Sequence, residues 1–257
     1  IPLTVNIEGE AYRDRIDIMP EEFYEKLSQG NLMPTTSQVA PQAFYEVFNK
    51  LVNEGHEVLT LNFSSELSGT YQSAVVAKGM VKEGRIEVLD TKSASVGQAL
   101  TVLAAAKMAR EGKDLDSILA RSKEMARRME HIFVVGSLEM LKRGGRISTA
   151  QAILGGMLNV KPVLQFEEGK IVPLDKVRGW KKALSKLLDV MAERSHNLEE
   201  QIIGISHADN IEMASELAQL IRAKFKIIDI FVSEVGPVIG SHAGPGTLAL
   251  FFQNKGE

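Results

Sequence analysis

The sequence predicts an α/β protein of two α/β layers, with a mostly parallel sheet in the first layer and a mixed sheet in the second. Short apolar runs typical of buried strands alternate with amphipathic stretches of helical length, which predicts βαβ units and parallel pairing. After about residue 130 the pattern changes to short helices and a hairpin signature. We therefore expect an N-terminal α/β domain over residues 1–130 and a C-terminal α/β domain over residues 131–257.

The composition is that of an ordinary globular protein. The chain has 257 residues, 44% hydrophobic and 25% charged, which suffices for a substantial buried core. A formal net charge of −3 argues against a nucleic-acid surface, and the lack of cysteine excludes disulfides, thiolate metal sites and cysteine nucleophiles. The histidines show no metal-ligand spacing. No apolar run approaches the ~18 residues that span a bilayer, so we expect a cytoplasmic protein without an integral membrane segment.

Periodicity and helix punctuation predict the elements of the first half. Proline followed by two acids opens a helix at residue 20 that Gly30 ends, and a second helix begins at Pro41. The other predicted elements are strands 3–7 and 10–13, strand 57–63, helix 69–81, strand 86–89, helices 95–111 and 115–129, and strand 131–135.

The second half is predicted to contain both a hairpin and a further βαβ unit. Glu167-Glu-Gly-Lys between two apolar runs is a hairpin signature. The predicted elements are short helices 138–147 and 150–158, hairpin strands 160–166 and 170–174, helix 181–194, the βαβ unit 202–205, 211–224 and 227–232, and a last strand 248–252.

The segment 236–247 is the most informative in the chain, because it holds four glycines, two prolines and one histidine between apolar runs. We expect it to be neither helix nor strand, but a shaped loop that presents Ser241, His242 and Thr247. Segments 34–38 and 64–70 each offer a cluster of hydroxyls at an element boundary. Ligands usually bind where loops follow parallel strands, so the three segments predict a site for a small polar head group.

Each of these segments also has a purely structural interpretation. The serines and threonines of 64–70 could cap a helix rather than bind an anion at its N-terminus. Segment 34–38 could be a turn and a cap, unless its loop faces 64–70. A serine activated by His242 would make a hydrolase, although no Gly-x-Ser-x-Gly elbow occurs in the sequence.

Two stretches, 142–146 and 176–182, concentrate basic residues. Such charge runs are usually solvated faces. The functional alternative is a local basic surface that docks a partner or its phosphate, which can coexist with a net negative chain.

Taken together, five motifs resemble the DegV family, the bacterial fatty-acid-binding proteins that include the FakB subunits of fatty acid kinase. The motifs are Pro-Thr-Thr-Ser-Gln at 34–38, Ser-Ser-Glu-Leu-Ser-Gly-Thr-Tyr at 64–71, Lys-Arg-Gly-Gly-Arg-Ile at 142–147, Lys-Val-Arg at 176–178 and Gly-Ser-His-Ala-Gly-Pro-Gly-Thr at 240–247. The resemblance covers essentially the whole chain in order. It implies a two-domain α/β fold with a long-chain fatty acid between the domains.

The resemblance also implies roles for individual residues. Thr36 and Ser65 would hold the fatty-acid carboxylate, with Ser37 and Ser64 beside them and His242 in the same network. Partner contacts would fall to the basic residues Arg146 and Arg178. A separate ATP-binding kinase subunit would phosphorylate the bound acid, so this chain would carry no catalytic residue, no cofactor and no metal.

One family feature is missing. Members usually begin with a strand and an Asp-Ser-Thr/Ser-x-Asp-Leu segment, which does not precede Ile1, and we expect an upstream segment with the first strand.

For the acyl tail, residues 100–108 and Ile153, Met157 and Leu158 are candidates. Two other functions stay open: a serine hydrolase using Ser65 or Ser68 with His242, and a small-molecule kinase of related fold.

Overall fold

The computed structural model describes residues 1–30, 32–136, 138–147 and 160–256. Strands and helices alternate along much of this part of the chain. The strands are β1 (Thr4–Ile7), β2 (Glu10–Arg13), β3 (Thr35–Ser37), β4 (Val58–Asn62), β5 (Ile86–Asp90), β6 (Met129–Val134), β7 (Val160–Glu167), β8 (Lys170–Arg178), β9 (Ile202–His207), β10 (Asp229–Glu234) and β11 (Leu248–Gln253). The helices are α1 (Pro20–Gln29), α2 (Pro41–Asn53), α3 (Thr70–Met80), α4 (Ser95–Arg110), α5 (Leu115–Arg128), α6 (Glu139–Arg143), α7 (Trp180–Arg194), α8 (Ile211–Lys224) and α9 (Pro237–Ala243).

The described strands form three sheets. β1 lies between β2 and β3 in an antiparallel sheet, and β4 pairs with β5 in parallel across α3. The third sheet has the order β10-β9-β11-β6-β7-β8, in which β9 and β10 are parallel and the other pairs are antiparallel. The predicted α/β class, with a parallel sheet and a mixed sheet, is confirmed.

Helix starts and the hairpin turn follow the signals in the sequence. Pro20 and Pro41 stand at the beginning of α1 and α2, and the Asp114 carboxylate caps α5 by accepting a hydrogen bond from the Ser117 amide at 2.8 Å. The β7–β8 hairpin turns at Glu168 and Gly169, which both have positive φ (48° and 81°), as a two-residue turn of this kind requires. The predicted βαβ unit is confirmed as β9–α8–β10.

Alternation along the strands gives the six-stranded sheet two different faces. One face is apolar and packs against α7 and α8. The buried residues of this face are Ile132, Val134, Val163, Ile203, Ile205, Leu248, Leu250 and Phe252. The other face, which we call the cavity face, lies beneath α4 and carries Ser206, Ala249, Phe133, Phe251 and His131.

The structure differs from the sequence prediction in two segments. Residues 35–37, predicted as a loop, form the short strand β3, since Thr36 lies opposite Val5 of the already paired β1. Residues 237–243, predicted as neither helix nor strand, form α9. Pro237 opens α9, Asp14 accepts a hydrogen bond from the Val238 amide at 2.9 Å, and Gly244 ends it with φ +76°. Proline at the start and glycine after the end are helix punctuation. The helix predicted over 150–158 lies outside the described residues.

Candidate functional site

A cavity of about 380 Å³ lies over the cavity face of the six-stranded sheet. Its walls come from β3, the 67–69 segment, the first turn of α4 and α9, and its volume falls in the range of small-molecule sites. The sheet contributes an apolar floor that includes Phe133, Ala249 and Phe251. Residues 100–108, one of the predicted tail sites, are not among the described residues that line it, and Ile153, Met157 and Leu158 lie outside the described ranges.

Gln38 brings two of the hydroxyl-rich segments together. Its Nε2 donates a hydrogen bond to Oγ of Ser73 in α3 at 3.1 Å. Its Oε1 lies so close to Gly69 that a β-carbon there would come within 1.9 Å of it. Segment 34–38 therefore does face segment 64–70, which was the condition for treating it as part of a site.

Thr36 and His242 meet at the wall of the cavity. Oγ1 of Thr36 and Nε2 of His242 are 2.8 Å apart. The other ring nitrogen, Nδ1, is buried and has no hydrogen-bond partner among the described residues. It faces Gly144, where a β-carbon would lie only 2.1 Å away. Burial and, secondarily, the positive charge of Arg146 lower the pKa of His242 to about 4, so the ring is neutral at neutral pH.

The serines of the 64–68 turn point in different directions. Ser64 is fully buried and donates to the Gly169 carbonyl at 2.8 Å, while Oγ of Ser65 accepts from Nζ of Lys92 at 3.0 Å. Neither is among the residues that line the cavity, but Ser68 is, with its Oγ 2.9 Å from Oγ1 of Thr70. The structure therefore places Ser68 at the wall, where the resemblance had implied Ser65.

The other residues of the predicted site divide in the same way. Ser37 lines the cavity and accepts from Nδ2 of Asn6 at 3.2 Å. Thr247 also lines it and donates to the Ala243 carbonyl at the end of α9. Ser241 lies within α9 and donates to the Pro237 carbonyl, so its hydroxyl serves the helix.

Arg146 and Arg178, the predicted partner contacts, occupy different environments. Arg146 lines the cavity, where its Nε donates to the Leu67 carbonyl at 3.0 Å and its Nη1 to the Gly144 carbonyl at 2.6 Å. Arg178 is exposed at the end of β8 and does not line the cavity. A cation thus lies at the cavity wall, close to His242.

Several polar residues of the wall were not predicted from the sequence. Asp14 lines the cavity, and its Oδ1 is buried without a hydrogen-bond partner in the described part of the chain. Burial raises the pKa of this carboxyl. Nothing in its local sequence signals the role, whereas His131 and Ser206 could have been noticed as polar residues in otherwise apolar strands.

His131 forms a buried pair with Ser93. Its Nε2 lies 2.6 Å from Oγ of Ser93 and its Nδ1 lies 3.0 Å from the Met129 carbonyl, while the ring stacks on Phe166 with centroids 4.5 Å apart. Because only the imidazole N–H can donate to the carbonyl, the Ser93 hydroxyl donates to Nε2. Ser93 is fully buried and does not line the cavity, so the pair is an anchor for the start of α4.

The contacts of His242, Ser65 and Ser68 do not match the arrangement that a serine hydrolase needs. It required His242 beside Ser65 or Ser68, but the hydrogen bond of His242 goes to Thr36, and Ser65 and Ser68 have other partners. A threonine hydroxyl in this position can donate to a ligand.

Burial of histidine rings predicts acid sensitivity. Burial lowers the pKa of both His131 and His242 to about 4, well below the ~6.5 of an exposed imidazole. Because the unfolded chain then binds protons that the folded chain excludes, the free energy of unfolding should fall as the pH drops from about 6.5 to about 4. Urea titrations at several pH values measure this fall, and His131→Gln should make it shallower. If the free energy of unfolding of His131→Gln fell with pH as steeply as that of the parent, the prediction would be contradicted. His56→Gln, which removes an exposed ring, is the control.

No helix in the described ranges is long and apolar enough to cross a membrane. The same residues contain no group of three or more His, Cys, Asp and Glu side chains placed to hold a metal ion.

Comparison with known proteins gives the family. Residues 1–255 match the family described as "Uncharacterised protein, DegV family". The chain is 42% identical over 255 residues to the DegV domain-containing protein TTE1491 of Caldanaerobacter subterraneus subsp. tengcongensis, covering 99% of this chain and 91% of that protein. One similar structure is that of a DegV family protein from Thermus thermophilus, which is described as showing fatty acid binding. It has a TM-score of 0.92 at 37% identity, and the match covers 99% of this chain and 91% of that one. A stearic acid-binding protein from Eubacterium ventriosum has a TM-score of 0.90 at 28% identity, over 99% of this chain and 90% of that one. The chain belongs to the DegV family.

Proposed function

We propose that this chain binds a long-chain fatty acid in the cavity, with the carboxylate beside Thr36, Ser68 and His242 and the acyl chain over the apolar floor. The observation that carries the proposal is a cavity whose floor is apolar and whose head end holds the Thr36–His242 pair. Relatives of the same fold are described as binding fatty acids, one of them stearic acid. The ligand class and the geometry of the cavity therefore agree.

The state of His242 makes Thr36 a donor toward the ligand. A neutral imidazole carries one N–H, and Nδ1 has no acceptor among the described residues. Because a buried N–H without an acceptor is costly, the proton belongs on Nε2, which then donates to Oγ1 of Thr36 across 2.8 Å. The Thr36 hydroxyl proton is left free to donate to a carboxylate oxygen.

The charge at the head end suits an anion. A buried carboxylate must be hydrogen-bonded, and the Thr36 and Ser68 hydroxyls can supply two bonds. Arg146 adds a positive charge, but its Nε and Nη1 donate to the carbonyls of Leu67 and Gly144. The two carbonyls thus hold the guanidinium in place. It balances the charge of the ligand without having to form two hydrogen bonds to the carboxylate. The carboxylate oxygens keep the reactivity that a phosphoryl acceptor needs.

The tail supplies most of the binding energy. Each buried methylene contributes roughly 0.8 kcal/mol, so a chain of about 16 carbons gains on the order of 12 kcal/mol before ordering costs. The floor side chains Phe133, Ala249 and Phe251 and the hairpin side chains Phe166 and Ile171 offer that apolar contact.

We further propose, from the resemblance to FakB subunits, that a separate ATP-binding kinase subunit phosphorylates the bound acid in the cytoplasm. In this scheme the chain is an acyl carrier, and the exposed Arg178 belongs to the surface that meets the kinase. Acyl phosphate formed by this chain and ATP alone would overturn that division of labour.

The binding proposal is tested by extracting lipid from the purified protein for mass spectrometry and by measuring stearic acid affinity. Thr36→Val keeps the shape of the side chain but removes the donor. A hydrogen bond to a charged group contributes roughly 1.5–3 kcal/mol, so the affinity should fall about 10- to 100-fold. Thr60→Val on β4, away from the cavity, is the matched control. Equal affinity of Thr36→Val and the parent would reject the role of Thr36, and no detectable binding by the parent would reject the proposed function.

A further inference from the structure

The cavity holds a second polar group of residues, separate from the Thr36–His242 pair. Ser206 belongs to the sheet floor, and Ser95 and Gln98 belong to the first turn of α4 above it. We call these three residues the mid-cavity polar group. Carboxylate binding at the head end does not use them.

Ser206 has a hydrogen-bond donor to spare. Oγ of Ser95 donates to Oγ of Ser206 at 3.2 Å, so this contact uses one proton from two hydroxyls. The Ser206 proton finds no acceptor within the described residues, and the side chain is only 1% exposed. A buried hydroxyl at a cavity wall with an unused proton is suited to an acceptor on a ligand.

Gln98 has an acceptor to spare. Its Nε2 donates to the Leu61 carbonyl at 2.8 Å, which fixes the orientation of the amide. Its Oε1 accepts no hydrogen bond from the part of the chain that the structure describes. Ser95 and Gln98 are three residues apart in α4 and therefore share one helix face, with β-carbons roughly 5–6 Å apart. At the cavity wall, Ser206 thus offers one donor and Gln98 one acceptor.

The position of Ser206 places this pair beside the chain of the ligand. Ser206 lies opposite Ala249 of β11. Ala249 is two residues beyond Thr247, whose hydroxyl bonds the end of α9 that carries His242. Two residues of a strand span roughly 7 Å. The polar pair is therefore displaced from the head end along the floor on which the acyl chain would lie.

We propose that the ligand class of this cavity includes fatty acids with a hydroxyl group on the acyl chain. The ligand hydroxyl would accept a hydrogen bond from Ser206 and donate one to Oε1 of Gln98, which satisfies both unused groups. This inference rests on the proposed fatty-acid binding and specifies its ligand.

Competition binding tests the inference with stearic acid and a series of hydroxystearic acids whose hydroxyl moves along the chain. At least one isomer should bind as tightly as stearic acid or more tightly. An apolar wall would instead weaken every isomer by about tenfold or more, because the hydroxyl would be buried without a partner. Uniform weakening of this kind overturns the inference.

Variants assign the effect to the two side chains. In Ser206→Ala and in Gln98→Leu, the affinity for the preferred isomer relative to stearic acid should fall about tenfold. Ser122→Ala removes a buried serine hydroxyl of α5 outside the cavity and should leave that ratio unchanged. The two variants act on different elements, so a folding defect in one leaves the other as a test.

The outcomes separate the two proposals. Failure of the parent protein to bind even stearic acid rejects fatty-acid binding itself. Tight binding of stearic acid, with an isomer ratio that neither variant changes, rejects only the hydroxyl site.

Discussion

Gly144→Ala is expected to displace the ring of His242 and to weaken fatty-acid binding by at least about tenfold, since it removes the Thr36 donor arrangement. A β-carbon at residue 144 would lie 2.1 Å from Nδ1 and 3.0 Å from Cε1 of His242. The backbone of Gly144 is helical, with φ −71° and ψ −8°, so alanine itself is compatible with the local conformation. The clash alone should therefore carry the effect, with an overpacking cost of roughly 1–3 kcal/mol.

Gly79→Ala is the matched control for this experiment. Gly79 lies in α3, and an added β-carbon would meet open space. Alanine should stabilise that helix by roughly 0.5–1 kcal/mol and leave ligand affinity unchanged. Stearic acid affinity is measured for both variants alongside thermal unfolding. If Gly144→Ala binds as well as Gly79→Ala, then the position of His242 does not matter for capture of the ligand.

Ala249→Phe is expected to block the floor of the cavity. Ala249 lines it and sits between Ser206 and Phe133 on the neighbouring strands. Excluding about four methylenes of the ligand would cost roughly 3 kcal/mol, or about 100-fold in affinity. Because the new ring fills a cavity, the protein without ligand should keep its thermal stability. An Ala249→Phe variant that still copurifies with fatty acid would show that the ligand lies elsewhere.

Substitution of the next residue along β11, Leu250, is expected to reduce stability and to leave ligand affinity unchanged. Leu250 points to the other face of the sheet, where it is fully buried beneath α7 and α8. Leu250→Ala should cost roughly 2–5 kcal/mol of stability through the void it leaves. Ligand affinity of the folded protein should stay near that of the parent. Of these two neighbouring substitutions, Ala249→Phe is thus expected to reduce ligand affinity and Leu250→Ala to reduce stability.

Periodicity and helix punctuation predicted most of the elements, because these signals are local. The two misread segments are short, and longer-range contacts decide their structure. β3 exists because β1 offers it a hydrogen-bonding edge. Asp14, more than two hundred residues away in sequence, caps α9. Local composition cannot reveal such partners.

The site was predictable in part. The resemblance implied that Thr36 and His242 belong to one network, and the structure brings the two side chains together. Which serine of the 64–68 turn faces the cavity depends on the direction of each side chain in three dimensions. Ser64 turns to the hairpin and Ser65 to Lys92, which leaves Ser68 at the wall. Likewise, Ser95 and Ser206 are 111 residues apart, so no local pattern could pair them.

The bond from Ser64 to the Gly169 carbonyl ties the segment leading to Ser68 to the tip of the β7–β8 hairpin. The same hairpin carries Phe166 and Ile171, which line the apolar part of the cavity. In the proposed complex, an acyl tail that displaced the hairpin would also displace the serine turn that leads to Ser68. If the cavity binds fatty acids as proposed, this bond links the fit of the tail to the position of Ser68, and a lipid of the wrong shape would be bound with its carboxylate misplaced.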